Sequence, residues 1–223
     1  MKVTTLSSSI PKLLTVIYGN PGTGKTYQIN SLKGKTLVIN FDKGLSSLNP
    51  KLDIDVMDIQ SVTELNANLQ ELANSAELKE TYDNIVFDTI TAFRNKLLSQ
   101  FSSTLKIGDW GAVIFNVNKV LSNMIALSDS YNVVIISQEL VLNEDDPKNM
   151  LSTLDLQSSN RNTLTAAARA LGRCYTDKNG IRRISFKSNP RTVTKLSIYD
   201  NDIEDVSSLG ELYDLYYAKG KSE

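Results

Sequence analysis

The chain has 223 residues, 41% of them hydrophobic and 22% charged, and a formal net charge of −1, which is ordinary usage for one globular α/β domain. Histidine is absent and Cys174 is the single cysteine, which excludes Ser-His-Asp and Cys-His catalysis, His-based metal sites and an intramolecular disulfide framework. There is no apolar run of about 18 residues, and the opening MKVTTLSSSIPKL lacks an apolar stretch. The expectation is therefore a chain with no membrane span and no secretory signal, in a reducing cytoplasm.

LLTVIY (13–18) is short, apolar and β-branched and ends at Gly19, which predicts a buried strand. TYQINSL after Lys25 predicts a helix, with Gly34 ending it. TLVINF (36–41) and IDVMDI (54–59) predict two more strands. Ser61-Val-Thr-Glu64 is a capping-box pattern, and Val62, Leu65, Leu69, Leu72 and Ala76 follow at helical spacing, so 62–80 is expected as one amphipathic helix. NIVFD (84–88) is the next buried strand, followed by a polar segment that leads to Trp110 between two glycines, where a core anchor is expected. Residues 111–129 have helical periodicity, and NVVIIS (132–137) is the clearest strand. Beyond Gln138 the pattern dissolves into a polar stretch that reads as a long irregular loop. TLTAAARAL reads as a short helix, GRCYTDKNGIRRISFK as a hairpin turning at Asn179-Gly180, TVTKLSIY as a strand and SLGELYDLYY as a terminal helix.

Strands alternating with helices, with near-continuous apolar strands, predict a mostly parallel sheet covered on both faces. The expected organisation is one domain over 1–223. It has a core over about 13–140, a mobile loop over 139–162, a basic β-rich extension over 163–200 and a C-terminal helix over 207–218.

GNPGTGKT (19–26) matches G-x-x-x-x-G-K-[ST] in full and sits between a strand and a helix, as a phosphate-binding P-loop requires. The eight residues Gly19, Asn20, Pro21, Gly22, Thr23, Gly24, Lys25 and Thr26 would cradle a polyphosphate with backbone N–H groups. Lys25 would reach the β- and γ-phosphates, and the Thr26 hydroxyl would bind Mg²⁺. Asp88, at the carboxyl end of a buried strand, is the candidate to complete the magnesium shell. The residue after it is Thr89, not the glutamate that many P-loop ATPases place there. The candidate for activating water is instead Asp42, at the end of the strand after the P-loop helix, with Asn40 and Lys43 as polar neighbours. Gln138 ends another buried strand and is the candidate γ-phosphate sensor.

In this order, the P-loop, Asp42, Asp88-Thr89 and Gln138 resemble the RecA-like ATPases. More closely, the chain looks like the short phage ATPases of the Sak type, which anneal single strands. Motifs carry the likeness over 13–140, and general layout carries it beyond. The resemblance implies ATP hydrolysis with Mg²⁺, single-stranded DNA binding, self-assembly into a ring or filament, and work with other phage recombination or replication proteins in the host cytoplasm. RecA-like proteins usually have glutamate where this chain has Asp42.

In that family the loops after the magnesium and sensor strands face DNA. The corresponding stretches here, 91–110 and 139–162, carry Arg94, Lys96, Lys106, Phe93 and Phe101 in the first and Arg161 at the end of the second, after an acidic run; the first reads equally well as a solvated helix with buried Phe residues. Residues 161–195 hold nine basic and one acidic residue, and six of the seven arginines lie between Arg161 and Arg191. Lys187, Arg191 and Lys195 are candidates to reach a neighbouring subunit's γ-phosphate. Arg182 and Arg183 are adjacent, so on a strand they point to opposite faces and do not share one site. Tyr213, Tyr216 and Tyr217 pack the last helix on the core or on a partner, and Cys174 is expected to be inert. Two other functions remain open: a small-molecule phosphotransferase with an arginine-rich lid, and a nucleotide-gated loader with slow hydrolysis.

Overall fold

The computed structural model describes residues 10–42, 44–100, 107–197 and 203–219, with backbone alone at 100, 107–110 and 219. Its strands are β1 (Leu14–Gly19), β2 (Thr36–Asn40), β3 (Ile54–Asp58), β4 (Asn84–Asp88), β5 (Asn132–Leu142), β6 (Leu151–Leu154), β7 (Ala170–Thr176), β8 (Arg182–Ser185), β9 (Lys195–Leu196) and β10 (Asp205–Val206). The α-helices are α1 (Val62–Asn74), α2 (Ala76–Thr81), α3 (Ile90–Gln100), α4 (Ile107–Ala126), α5 (Ser158–Ala167) and α6 (Leu209–Lys219). Across the sheet the order is β10-β8-β7-β1-β5-β4-β2-β3. The six strands from β7 to β3 are parallel, and β8 and β10 add an antiparallel edge. β6 folds back on the outer half of β5, and β9 pairs with β7.

The strands read as apolar throughout because both faces are covered. Leu14, Val16 and Tyr18 point to one core with Leu37, Ile39, Ile85, Phe87, Val133 and Ile135. The residues between them, Ile17, Val38, Val86, Val134 and Ile136, point to the other. α1, α3, α4 and α5 close the first face. A short 3₁₀ helix (Thr26–Ser31) and α6 close the second. The expected α/β architecture is therefore present, and no helix among the described residues is long and apolar enough to cross a membrane.

Several elements differ from the expectation. The helix after the P-loop is a single 3₁₀ stretch, with the Gln28 N–H shared between the Gly24 and Lys25 carbonyls at 3.1 Å each. Thr, Tyr, Ile and Asn are indifferent helix formers, so nothing local lengthens it. The helix over 62–80 breaks at Ser75, whose hydroxyl accepts the Leu78 N–H and restarts the chain as α2. The predicted capping box at Ser61 and Glu64 is present. The polar stretch after Asp88 opens as α3, with Thr89 Oγ1 accepting the Ala92 N–H and Ile90, Phe93 and Leu97 buried one turn apart. Residues 139–162 are not an irregular loop: β5 runs on to Leu142, β6 returns beside it, and α5 begins at Ser158. In TVTKLSIY only Lys195–Leu196 is strand among the described residues. The hairpin turn at Asn179-Gly180 forms as expected, with Gly180 at φ 79°.

Tyr213 is buried with its hydroxyl 3.3 Å from Thr15 Oγ1, Tyr216 donates to the Pro11 carbonyl, and Tyr217 donates to Asn132 Oδ1. All three tyrosines therefore seat α6 on this chain's own core.

Candidate functional site

Four parallel strands bring their site residues to one edge of the sheet. Gly19 at the end of β1 is in register with Gln138 of β5, and Asp88 at the end of β4 is in register with Asn40 of β2. β5 stands between β1 and β4, so Gln138 lies between the phosphate loop and Asp88. Parallel pairing thus gathers at one sheet edge residues that are up to 119 positions apart.

Gly22 and Gly24 have φ of 83° and 84°, backbone that glycine adopts without strain. They curl GNPGTGKT over the end of β1, where the Thr23 N–H and Oγ1 both donate to the Asn20 carbonyl, at 3.3 and 2.8 Å. Gly19 answers a different constraint: a Cβ there would stand 2.5 Å from the Cys174 carbonyl oxygen on β7. Burial pushes the Cys174 thiol up to about 12, which keeps it inert.

Lys25 is only 6% exposed. Its ammonium donates to the Gly19 and Asn20 carbonyls at 2.8 and 3.0 Å and to Gln138 Oε1 at 3.0 Å. Burial holds it below the usual lysine range, opposed by the charge of Asp88. A cation withdrawn from water this way is suited to an incoming anion.

Asp88 is fully buried, and its Oδ2 accepts the Thr26 hydroxyl at 2.7 Å. Its Oδ1 is buried and has no hydrogen-bond partner among the described residues. Burial raises this carboxyl to about 6; the Thr26 hydrogen bond opposes the rise, and the charge of Asp42 adds to it. A hydroxyl beside an orphaned carboxylate oxygen fits Mg²⁺, which takes few protein oxygens and completes its shell with water and phosphate.

Asp42 is exposed just beyond β2, with Oδ1 accepting the Gly44 N–H at 2.9 Å. Asn40 is buried and donates to Asp58 Oδ1 at 2.6 Å, while Lys43 lies outside the described residues. Gln138 is held from behind as well. Its N–H donates to Thr91 Oγ1 at 3.0 Å, and its carbonyl accepts the Asp155 N–H at 2.9 Å.

Most of the remaining candidates are spent elsewhere. Arg94 forks onto both Asp155 carboxylate oxygens at 2.8 and 3.1 Å, and Lys96 donates to the Ile59 carbonyl at 2.6 Å. Phe93 is buried, so α3 turns these groups inward. Arg161 reaches the Leu156 carbonyl at 3.3 Å. Lys187 pairs with Glu204 at 2.7 Å, and Lys195 donates to the Thr165 and Ala166 carbonyls. Arg191 stays exposed. Lys106, Phe101 and the Trp110 side chain lie outside the described residues. Arg173 pairs with Glu139 and Arg183 with Asp177.

The family model for an AAA domain matches residues 12–198, from just before β1 to just past β9. This chain is an AAA-domain protein. The match spans the whole parallel sheet and both sides of the P-loop, and it supports nucleotide binding and, in general terms, ATPase activity for this domain. A search of curated proteins gave no match.

The AAA domain also positions residues to which the sequence assigned no role in the site. Thr91 fixes the Gln138 backbone. The Glu139 side chain is 1% exposed and accepts from Arg173 Nε at 2.9 Å, because β5 continues through it. Arg182 lies against the P-loop and over Tyr27. The apolar run LVL directly after Glu139 carried a signal that the strand continues through it, whereas Arg182 could be placed only once β7 was known to flank β1.

Proposed function

We propose that this AAA domain is a Mg²⁺-dependent ATPase. The observation that carries the reading is the Thr26–Asp88 contact, with the orphaned Asp88 Oδ1, beside a desolvated Lys25. Lys25 and the backbone N–H groups of Gly22–Thr26 would hold the β- and γ-phosphates. Thr26 and Asp88 would hold the metal, which when bound supplies charge neutralisation at the phosphate oxygens. Asp42 is the carboxylate proposed to orient water. It sits on the far side of Asp88 from the P-loop, and its charge reaches both Asp88 and Lys25. Gln138 would exchange its bond to Lys25 for one toward the γ-phosphate side. Through Thr91 and Asp155 it would pass that change to α3 and the β6–α5 turn.

The single-stranded DNA substrate, the self-assembly and the Sak-type kinship rest on the resemblance of the four motifs. Arg94 and Lys96 lend the DNA reading no support, being committed to Asp155 and Ile59. Among the described residues, Arg191 is the trans-acting candidate that is exposed and whose side chain is not drawn into an ion pair or hydrogen bond, whereas Lys187 is held by Glu204. The test is ATP turnover with Mg²⁺, with and without single-stranded DNA, for the native chain and Lys25→Ala. Turnover that requires Lys25 supports the ATPase, and stimulation by DNA supports the recombination role. Turnover indifferent to DNA, with no DNA binding at low salt, removes that role and leaves the ATPase. No Lys25-dependent turnover at all defeats the reading.

A further inference from the structure

The groups suited to the γ-phosphate and the metal stand to one side of β1: Gln138 on β5, Asp88 on β4 and Asp42 beyond β2. A nucleotide laid with its γ-phosphate there would extend its other end across β1, toward β7. On that side the β7–β8 hairpin leans over the P-loop. A Cβ at Gly24 would stand 2.5 Å from Arg182 Cδ and 2.8 Å from its Nε, so the arginine stem rests on the loop's last glycine. The Arg182 guanidinium carbon lies 4.9 Å from the centre of the Tyr27 ring. Tyr27 follows Thr26 directly and is 50% exposed; Arg182 is exposed too. Its neighbour Arg183 is tied to Asp177 at 3.1 Å. Two planar groups, an aromatic ring and a cation over its face, therefore stand open at the edge of the phosphate loop.

We infer that Tyr27 and Arg182 seat the nucleoside end of the nucleotide, with the guanidinium plane stacked against the base. This rests on the P-loop nucleotide reading and adds a residue 156 positions beyond Thr26 in the chain. A guanidinium stacks on the π-face of any base, and the larger purines gain most. Stacking on a π-face does not by itself read an edge of the base. The seat therefore favours purine over pyrimidine nucleotides and does not choose strongly between ATP and GTP.

The test is equilibrium binding of Mg-ATP, Mg-CTP and inorganic Mg-tripolyphosphate to the native chain and to Arg182→Lys, Arg182→Ala, Tyr27→Ala and Tyr27→Phe. Both side chains are exposed, so the fold does not depend on them. Arg182→Lys, Arg182→Ala and Tyr27→Ala are each expected to weaken ATP about tenfold, the loss of one stacked base. Tyr27→Phe should bind as the native chain does, and tripolyphosphate affinity should hold throughout. Full retention of ATP affinity in Arg182→Lys, with tripolyphosphate weakened in Arg182→Ala, would make Arg182 a phosphate ligand and overturn the inference. ATP affinity unchanged in every variant would overturn it too, leaving the nucleotide site intact. A native chain that binds neither ATP nor tripolyphosphate would defeat the nucleotide reading itself.

Discussion

Two regions of this domain are rich in polar groups, and the fold treats them in opposite ways. At the ends of β1, β4 and β5 it buries a lysine and an aspartate and leaves one oxygen of the aspartate without a partner. Along 161–195 it gives most of the cations a near neighbour: Arg173 has Glu139, Arg183 has Asp177, Lys187 has Glu204, Arg169 has the Tyr216 hydroxyl, and Lys195 has two carbonyls. A count of charges favours the second region as a site. An account of burial favours the first: the second has one orphaned atom, Arg161 Nε, on a guanidinium that still bonds the Leu156 carbonyl, whereas the first gathers a buried lysine and an orphaned carboxylate oxygen. The costly feature is a desolvated group without a partner, and folds keep such groups where a ligand supplies what is missing.

The sharpest way to break this contrast is Lys25→Ala. If the buried ammonium is the phosphate-binding group, Mg-ATP turnover falls at least about a hundredfold, as loss of one preorganised electrostatic contact does. A smaller fall in a phosphate-release assay would mean that the loop's backbone carries the site without it.

Asp88→Asn tests the orphaned oxygen. A carboxyl raised from 3.8 to about 6 holds a proton in the fold that the unfolded chain has lost. Stability from this group is therefore greatest at low pH and declines as pH rises from about 4 to about 6, by roughly 3 kcal/mol at 1.36 kcal/mol per unit. Asp88→Asn should make the nucleotide-free protein more stable at pH 8 in a urea titration and abolish the response to Mg²⁺. In the native chain, the thermal shift produced by Mg²⁺ with ADP should weaken as pH drops below about 6, because the protonated carboxyl is no ligand. A shift unchanged down to pH 5 would remove Asp88 from the metal.

Arg94→Ala addresses a cation that looked available for DNA. It leaves a half-buried Asp155 unpaired, and the expected result is a stability loss of about 1–3 kcal/mol in urea, with affinity for single-stranded DNA unaltered. The opposite pattern would return α3 to the nucleic-acid surface. The smallest effect belongs to Lys187→Ala. Its pair with Glu204 is open to solvent on both sides, so the denaturation midpoint should stay within error of the native value.

Much of this was legible in order along the chain. The P-loop is eight consecutive residues after an apolar run, and NIVFD and NVVIISQ announce strands whose last residues face the same edge. Strand interiors follow from composition because both faces are buried. Contacts that join distant segments were not legible. Arg94 finds Asp155 61 residues away, and Arg182 finds Tyr27 because β7 happens to flank β1. The helix α3 was one of two equal readings of its stretch, because its buried apolar stripe is Ile90, Phe93 and Leu97, set among polar residues. The break at Ser75 shows a capping hydroxyl winning over a helical period that ran through it.

The helix that follows the P-loop has six residues and no N-cap side chain. A 3₁₀ turn of that length has little stability of its own. Gln28 accepts the Leu209 N–H, Ser31 Oγ accepts the Gly210 N–H, and Leu209 and Leu212 share a core with Ile29. Sequence separations near 180 thus close over an element that the phosphates need first. A growing chain that has reached only α5 carries every residue of the P-loop motif and both magnesium candidates, yet lacks the surface that braces them. The element that the phosphates need is thus held by residues 207–213, and its stability follows how well α6 docks rather than its own turns.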